Sequence, residues 1–489
     1  MRGLSPQPQA PGDEQKGGAQ MKAPDVAPRD LPREFGAGEM FFSTTDPRGV
    51  ITAGNEVFVR VSGYGATELV GRAHNVIRHP DMPRAAFRLV WSYLKQSRRV
   101  AALVKNLAKD GGYYWVVALF VPAPDGFLSI RFKPTGPAVD ALKPTYAAML
   151  AEEERQLASG ADDDTAMNAS AALLAAAVRA RGYADYDAFM RALLCDELKS
   201  RDNVLRALGL SVVPALPAGA RPGPDDAALH TLFRHGETAY AKLSRLFVRL
   251  DEFVALQAAL EDKAVFVENL TRELRLAAVN AALASTRVGA EAQSLGVVSH
   301  YMGSASGDVA GAVGALTTGI RTVSKRLRSV VFNLAVGRLE IEMIMIFLHE
   351  LIATPAAARK NQHAPRSITT LQHIFRSSLE RASTALDELE SGARQLSPAS
   401  ANLGRHMLEL QVAQLTGVVE TTRLADKGDF VPVFGHIRQL IEDTRGQLNG
   451  LGDTLAQLDA IAVETPAAAR EIASHANDMH AQAAVLAAA

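Results

Sequence analysis

The run His74-Asn75-Val76-Ile77-Arg78-His79-Pro80-Asp81-Met82-Pro83 decides how the first part of this chain is read. By itself it is a capped turn, with Asp81 as a helix N-cap ahead of Pro83. Upstream, Phe41–Thr45 and Gly49–Thr52 read as two short strands around the turn Asp46-Pro47-Arg48-Gly49. Asn55 then opens a short helix that Gly63 closes. Downstream, Val104–Asn106, Tyr113–Ala118 and Phe127–Arg131 read as strands of an antiparallel sheet, the first two joined by the turn Lys109-Asp110-Gly111-Gly112. Residues 41–135 are therefore a small α+β domain.

Within that domain the words Asn55-x-x-Phe58, Val61-Ser62-Gly63-Tyr64, Arg78-His79-Pro80-Asp81-Met82-Pro83, Ala85-Ala86-Phe87, Val104-Lys105-Asn106 and Tyr114-Trp115-Val116 form a set. As a set they resemble the PAS domain of the bacterial aerotaxis receptor family. The resemblance implies noncovalently bound FAD whose redox state reports oxygen or electron-transport status. It implies that Arg78, His79 and Asp81 hold the flavin. Asn55, Trp91 and Asn106 are further candidates for pocket lining or for the fold itself. The residues alone are compatible with this: a flavin needs an apolar slot and a few placed polar groups, and an Arg suits its pyrophosphate. They leave FAD, FMN, haem or an empty pocket open. Where relatives carry Pro-Trp-x-Gly, this chain reads Arg99-Val100-Ala101-Ala102.

The 489 residues suffice for several domains. A net charge of −1 gives no argument for nucleic acid or an anionic membrane surface. The single cysteine, Cys195, excludes an intramolecular disulfide and a thiolate metal cluster, fits a reducing cytoplasm, and sits in an apolar helical stretch as a small hydrophobe. No apolar run reaches the roughly 18–20 residues of a membrane span, and no signal peptide is visible. The expected localisation is cytoplasmic.

Beyond the sensor domain the chain is helical. Residues 1–36 read as a disordered tail, 37–137 as the PAS domain, and 138–228 as a helical linker region with a break at Pro214, Pro217, Pro222 and Pro224. From 229, apolar residues recur in alternating three- and four-residue steps, as in Leu243, Leu246, Leu250, Phe253 and in Leu316, Ile320, Val323, Leu327. This predicts a hairpin over 229–354 with its tip near 289, a connector at 355–365, and a second hairpin over 366–482 with its tip near 426. Four arms of roughly 80–90 Å each imply an up-down four-helix bundle.

The first tip, Asn280-Ala281-Ala282-Leu283-Ala284 with Leu295-Gly296-Val297-Val298, resembles the signalling hairpin of methyl-accepting chemotaxis receptors. That resemblance implies contact with a chemotaxis kinase and its coupling protein. Ala284, Tyr301 and Gly303 stand where the family carries Glu, Glu and Arg, which argues against direct kinase control. A fainter copy, Thr416–Arg423 with Ile437-Arg438, suggests an internal duplication, so that one chain forms a monomeric pseudo-dimer; a homodimer is the alternative.

His349-Glu350 lacks a second histidine at metal-site spacing, so Glu340, Glu342 and His349 read as solvated or interhelical positions and no metal is expected. Gly303, Gly307, Gly311 and Gly314 read as a stripe for close helix packing. Lys325-Arg326-Leu327-Arg328 reads as a solvated face. No catalytic set can be placed. The expected function is signal transduction by a PAS redox or oxygen sensor through a helical bundle; the alternative is a non-sensing PAS docking module on a helical scaffold.

Overall fold

A computed structural model describes residues 26–216, 227–288, 293–354, 364–424 and 430–488. The N-terminal part is an antiparallel sheet of β1 (Met40–Thr45), β2 (Ile51–Gly54), β3 (Val100–Leu107), β4 (Tyr113–Ala123) and β5 (Gly126–Phe132), ordered β2-β1-β5-β4-β3. Between β2 and β3 lie α1 (Glu56–Ser62), α2 (Ala66–Leu69), a 3-10 turn His74–Ile77, and α3 (Arg84–Lys95). The α1 boundaries are written in its ends. The Asn55 side chain accepts from Phe58 N, and Gly63 closes the helix at φ 75°. Helix α3 is capped differently from the sequence reading: Pro83, not Asp81, precedes its first residue. Its free Arg84 and Ala85 amides donate to the Glu153 carboxylate at 2.8 and 2.9 Å.

Residues 26–36, assigned to the tail by composition, run beside β4. Arg29 N donates to Gly111 O and Arg33 N to Tyr113 O, while Phe35 is buried against Phe41. One aromatic anchor, a few backbone bonds and the ion pairs Arg33–Asp110 at 3.0 Å and Glu34–Lys133 at 2.6 Å hold this segment, and composition does not register such partners. Residues 1–25 lie outside the described residues.

Three linker helices follow: α4 (Ala138–Ala158), α5 (Asp163–Ala180) and α6 (Tyr186–Ala207). Cys195 on α6 is buried, and burial pushes its thiol up to about 12. The long arms are α7 (Ala227–Val248) with α8 (Leu250–Val288), then α9 (Gln293–Ala353), α10 (Ala364–Thr422) and α11 (Phe430–Ala488). The first arm is thus in two pieces, parted at Arg249. Each arm packs on the next, and the last packs back on the first, which is the four-helix arrangement the heptads predicted.

Cross-arm contacts fix the directions. Arg326 pairs with Glu388 at 3.8 Å, His436 with Glu273 at 3.6 Å, and Lys263 Nζ donates to Gln447 Oε1 at 2.6 Å. These antiparallel registers put Val288, Gln293, Thr422 and Phe430 at one end. The two expected tips, 289–292 and 425–429, and most of the connector lie outside the described residues.

The glycine stripe departs from expectation. A Cβ at Gly303, Gly307, Gly311 or Gly314 would meet nothing within 4 Å. Close packing occurs instead at Gly319, whose Cβ would lie 2.6 Å from Leu396, and at Gly417, 2.2 Å from Phe434. A four-residue glycine spacing marks one helix face, but not whether that face is covered.

Both faces of the sheet are covered. Along β1, Phe41 and Ser43 face the sensor helices, while Phe42 stacks edge-on with Phe347 of α9 at 5.0 Å. Such double burial explains why β1 shows no alternation of apolar and polar residues.

Candidate functional site

Strand register places one residue after another on a single wall. Ser43 lies opposite Ser129, Phe41 opposite Arg131, and Phe120 also opposite Ser129. Alternate residues of each strand share a face, so Ser43, Phe120, Ser129 and Arg131 project together, joined across β3 by Val104 and Asn106. Helix α3 supplies the facing wall with Phe87, Val90, Trp91 and Leu94. The cavity between them is about 210 Å³ and partly open.

The cavity is mostly apolar, with polar groups on the sheet wall and with Thr45, Arg48, Asn75 and Arg78 elsewhere on its lining. Arg131 is 1% exposed. It donates to Ser43 Oγ at 3.0 Å and to His74 Nε2 at 2.6 Å. No carboxylate pairs with it among the described residues, and burial lowers its guanidinium from the usual range to about 10. Burial, and then the Arg131 charge, hold His74 well below the ordinary histidine range. His74 is therefore neutral, with Nε2 as the acceptor. Two further groups on this wall, Asn106 Nδ2 and Ser129 Oγ, are buried with no hydrogen-bond partner. Buried polar atoms in folded proteins are nearly always satisfied. Two orphans lining one cavity, Ser129 next to the buried cation and Asn106 two strands away on β3, are the features of a binding site for an extended ring system with polar edges.

The six sequence candidates divide. Arg78, Trp91 and Asn106 line the cavity. A β-bridge between Arg78 and Asn106 brings those two together. Arg78 donates to Met82 O at 2.9 Å and lies over the Phe87 ring. Trp91 meets Phe127 edge to face at 5.4 Å. Gly49 makes room for it: a Cβ there would lie 3.3 Å from the indole, and its φ of 80° suits glycine alone.

His79, Asp81 and Asn55 stand outside the lining. His79 is buried behind the wall and accepts from Asp81 N at 3.1 Å; burial and the Lys105 charge lower it to about 4. Asp81 is 59% exposed in its side chain and pairs with Lys105 at 2.6 Å. Both act on the cavity indirectly, through the adjacent Arg78 and through Lys105 and its neighbour Asn106. Asn55 turns toward the bundle, donating to Glu350 at 3.1 Å.

The sequence reading missed Ser43, His74, Ser129 and Arg131. A signal was present for one of them: Arg131 ends the run Phe127-Leu128-Ser129-Ile130-Arg131, where an Arg on an otherwise apolar strand calls for a buried role.

Arg99 and Ala101, in the stretch that departs from the aerotaxis pattern, serve docking. Arg99 donates to Asn333 and Ser378 of the bundle, and Tyr186 donates to Ala101 O.

Residues 51–126 match the PAS fold family. The chain is 45% identical over 112 residues to the aerotaxis receptor of Escherichia coli, a match covering 22% of each chain. It is 32% identical over 74 residues to a nitrogen fixation regulatory protein of Klebsiella pneumoniae, covering 15% of each. It is 28% identical over 82 residues to the biofilm dispersion protein BdlA of Pseudomonas aeruginosa, covering 17% of this chain and 20% of that one. The matches thus span about a fifth or less of these relatives' length. A solved structure described as "Flavin Analogue Sheds Light on Light-Oxygen-Voltage Domain Mechanism" overlaps 24% of this chain and 87% of its own, at 21% identity and a TM-score of 0.19. The N-terminal unit is a PAS domain similar to the matching part of the aerotaxis receptor, and long helices follow it. No helix among the described residues is long and apolar enough to cross a membrane.

Proposed function

We propose that this chain is a cytoplasmic, non-enzymatic signal transducer whose PAS domain binds FAD and senses redox or oxygen status. The observation that carries this reading is the set of polar groups lining one cavity: Ser129 Oγ without a partner next to the buried, carboxylate-free Arg131, and Asn106 Nδ2 without a partner on β3. A bound flavin supplies reversible electron acceptance. Arg131, Asn106 and Ser129 would meet its polar edge, Trp91 and Phe127 its ring, and Arg78 a phosphate. His79 and Asp81 would position the Lys105-Asn106 strand rather than touch the cofactor.

The route outward is short. Ser43 faces the cavity, and the adjacent Phe42 packs on Phe347 of α9. A shift of β1 is therefore felt directly by a bundle arm, and the state of the site would bias the bundle between two packings. At the far end, Leu283, Val297, Tyr301, Val412 and Leu415 are exposed, an apolar surface suited to a protein partner. We read the two hairpins as an internal duplication that gives one chain the four arms of a receptor signalling bundle; the shared end of all four arm termini supports this. A chemotaxis coupling protein is the proposed partner, with the second tip as the better candidate contact because Glu420 and Arg438 remain there.

The test is an absorption spectrum of the purified full chain, before and after dithionite and after added FAD. Flavin bands that bleach on reduction are expected, with release of the colour in Asn106→Leu. A chain that stays colourless with FAD present would leave the docking-module reading standing.

A further inference from the structure

At the end of the bundle next to the sensor domain, the first and last arms bring together three metal-ligating side chains. His235 comes from α7, and His475 and Asp478 from α11. The two imidazoles face each other through their Nδ1 atoms at 3.4 Å, with the rings tilted by 46°. Asp478 Oδ2 lies 3.8 Å from His235 Nδ1, and all three ligand atoms fall within 4.8 Å of one another.

We propose that His235, His475 and Asp478 form a binding site for a divalent transition-metal ion of the zinc type. Three observations carry the inference. Metal bonds of about 2.0–2.1 Å in a tetrahedron set ligand atoms about 3.3–3.4 Å apart, which is the His235–His475 spacing. Two Nδ1 atoms 3.4 Å apart make at best a long hydrogen bond, whereas both lone pairs can be used at once by a shared ion. The spacing is also fixed by packing: a Cβ on the neighbouring Gly236 would fall 2.2 Å from Met345 and 3.5 Å from Met479. A bare glycine thus lets α7 approach α9 and α11 beside the site.

Two imidazoles and a carboxylate are borderline ligands that suit zinc, with the fourth position left to water. Asp478 needs to move toward the imidazoles by roughly an ångström to reach tetrahedral spacing, and its side chain is 54% exposed and able to rotate. A bound ion would tie the first arm to the fourth where the sensor domain docks, two turns from the Lys242–Glu471 pair that joins the same helices. The site escapes sequence inspection because its two histidines are 240 positions apart.

The experiment is calorimetric titration of the chelator-treated, dialysed full chain with zinc chloride, together with thermal unfolding with and without zinc. One saturable site per chain is expected, with a zinc-dependent rise in Tm. His235→Gln and His475→Gln should each weaken binding at least about a hundredfold and abolish the rise, since even outer-shell changes cost about 10–100-fold. Asp478→Asn should weaken it less, and the remote His406→Gln should change nothing. Far-UV circular dichroism of each variant separates lost binding from lost fold; Asp478→Asn, at an exposed position, keeps the test open if a histidine variant misfolds. The proposal is overturned by a wild-type chain with no saturable zinc uptake, or by uptake that survives all three ligand substitutions.

Discussion

The Asn55 side-chain amide donates to the Glu350 carboxylate at 3.1 Å, across 295 positions of sequence. The other Glu350 oxygen accepts from Glu56 N at 2.6 Å. Asn55 Oδ1 meanwhile accepts from Phe42 N at 3.2 Å and from Phe58 N at 3.4 Å. One side chain therefore joins β1, the start of α1 and arm α9. A residue that the aerotaxis resemblance offers as a pocket candidate is here the joint between sensor and bundle.

That joint should be measurable. Glu350→Ala removes an acceptor from two amide donors at a half-buried helix start. Leaving such donors unsatisfied costs about 1–3 kcal/mol, read as a lower urea midpoint with unchanged slope. Glu350→Gln keeps one acceptor oxygen and should lose less. Equal losses in the two variants would mean that the contact contributes through packing alone.

The same region predicts an unusual pH dependence. Burial raises Glu350 to about 7, against the hydrogen bonds from Glu56 and Asn55. Burial likewise raises Glu340 to about 7, against the charge of Arg99. The reference value is 4.5 for both. Between those limits the folded chain binds more protons than the unfolded one, so stability contributed by these groups is full below 4.5 and is lost as pH rises through 7. Each shift corresponds to on the order of 3 kcal/mol. Denaturant titrations at pH 5 and pH 8 should show the loss, and Glu340→Gln should flatten it. A slope unaltered in a Glu340→Gln/Glu350→Gln double variant would place the titration elsewhere.

The PAS fold was legible because its signals are local. Asn55 and Gly63 cap α1 within eight residues of each other, and turns at Asp46–Gly49 and Lys109–Gly112 punctuate the strands. The arms were legible from heptads, since each buries one stripe along its length. The cavity wall was only partly legible: Arg78, Trp91 and Asn106 stand in recognisable words, whereas Ser43, Ser129 and Arg131 meet only through β1–β5 register. Pairing of that kind is long-range and leaves no mark on either strand alone. The docking of the sensor on α9 was invisible for the same reason.

Arg131 should set the reduction potential of a bound flavin. A buried cation at the polar edge favours the electron-rich form. Arg131→Met keeps much of the side-chain volume and removes the charge. The midpoint potential should fall by on the order of 30–60 mV, about 30 mV per 1.4 kcal/mol for two electrons. Redox titration of the FAD-loaded chain measures it. An unchanged potential with flavin still bound would place the guanidinium away from the ring.

A buried charge network ties the linker helices to the bundle. Arg201 of α6 and Glu342 of α9 are both fully buried and 2.6 Å apart. Glu342 also accepts from Arg338 Nε at 2.7 Å, and Arg338 holds Asp202 through two bonds at 2.6 and 2.7 Å. Burial works against the Arg338 charge, but Glu342 and Asp202 together raise its basicity above the ordinary range. Removing one partner of such a pair strands the other in a low-dielectric interior at about 3–5 kcal/mol. Glu342 keeps Arg338 in Arg201→Met, so that variant should lose less, about 1–3 kcal/mol. In Arg201→Met/Glu342→Met, Arg338 keeps Asp202, and neither member of the deleted pair is left charged. The double variant should therefore be more stable than Arg201→Met alone, which a double-mutant cycle by urea unfolding resolves. If the two losses simply add, Arg201 and Glu342 are not coupled, and α6 is held on α9 by its apolar contacts.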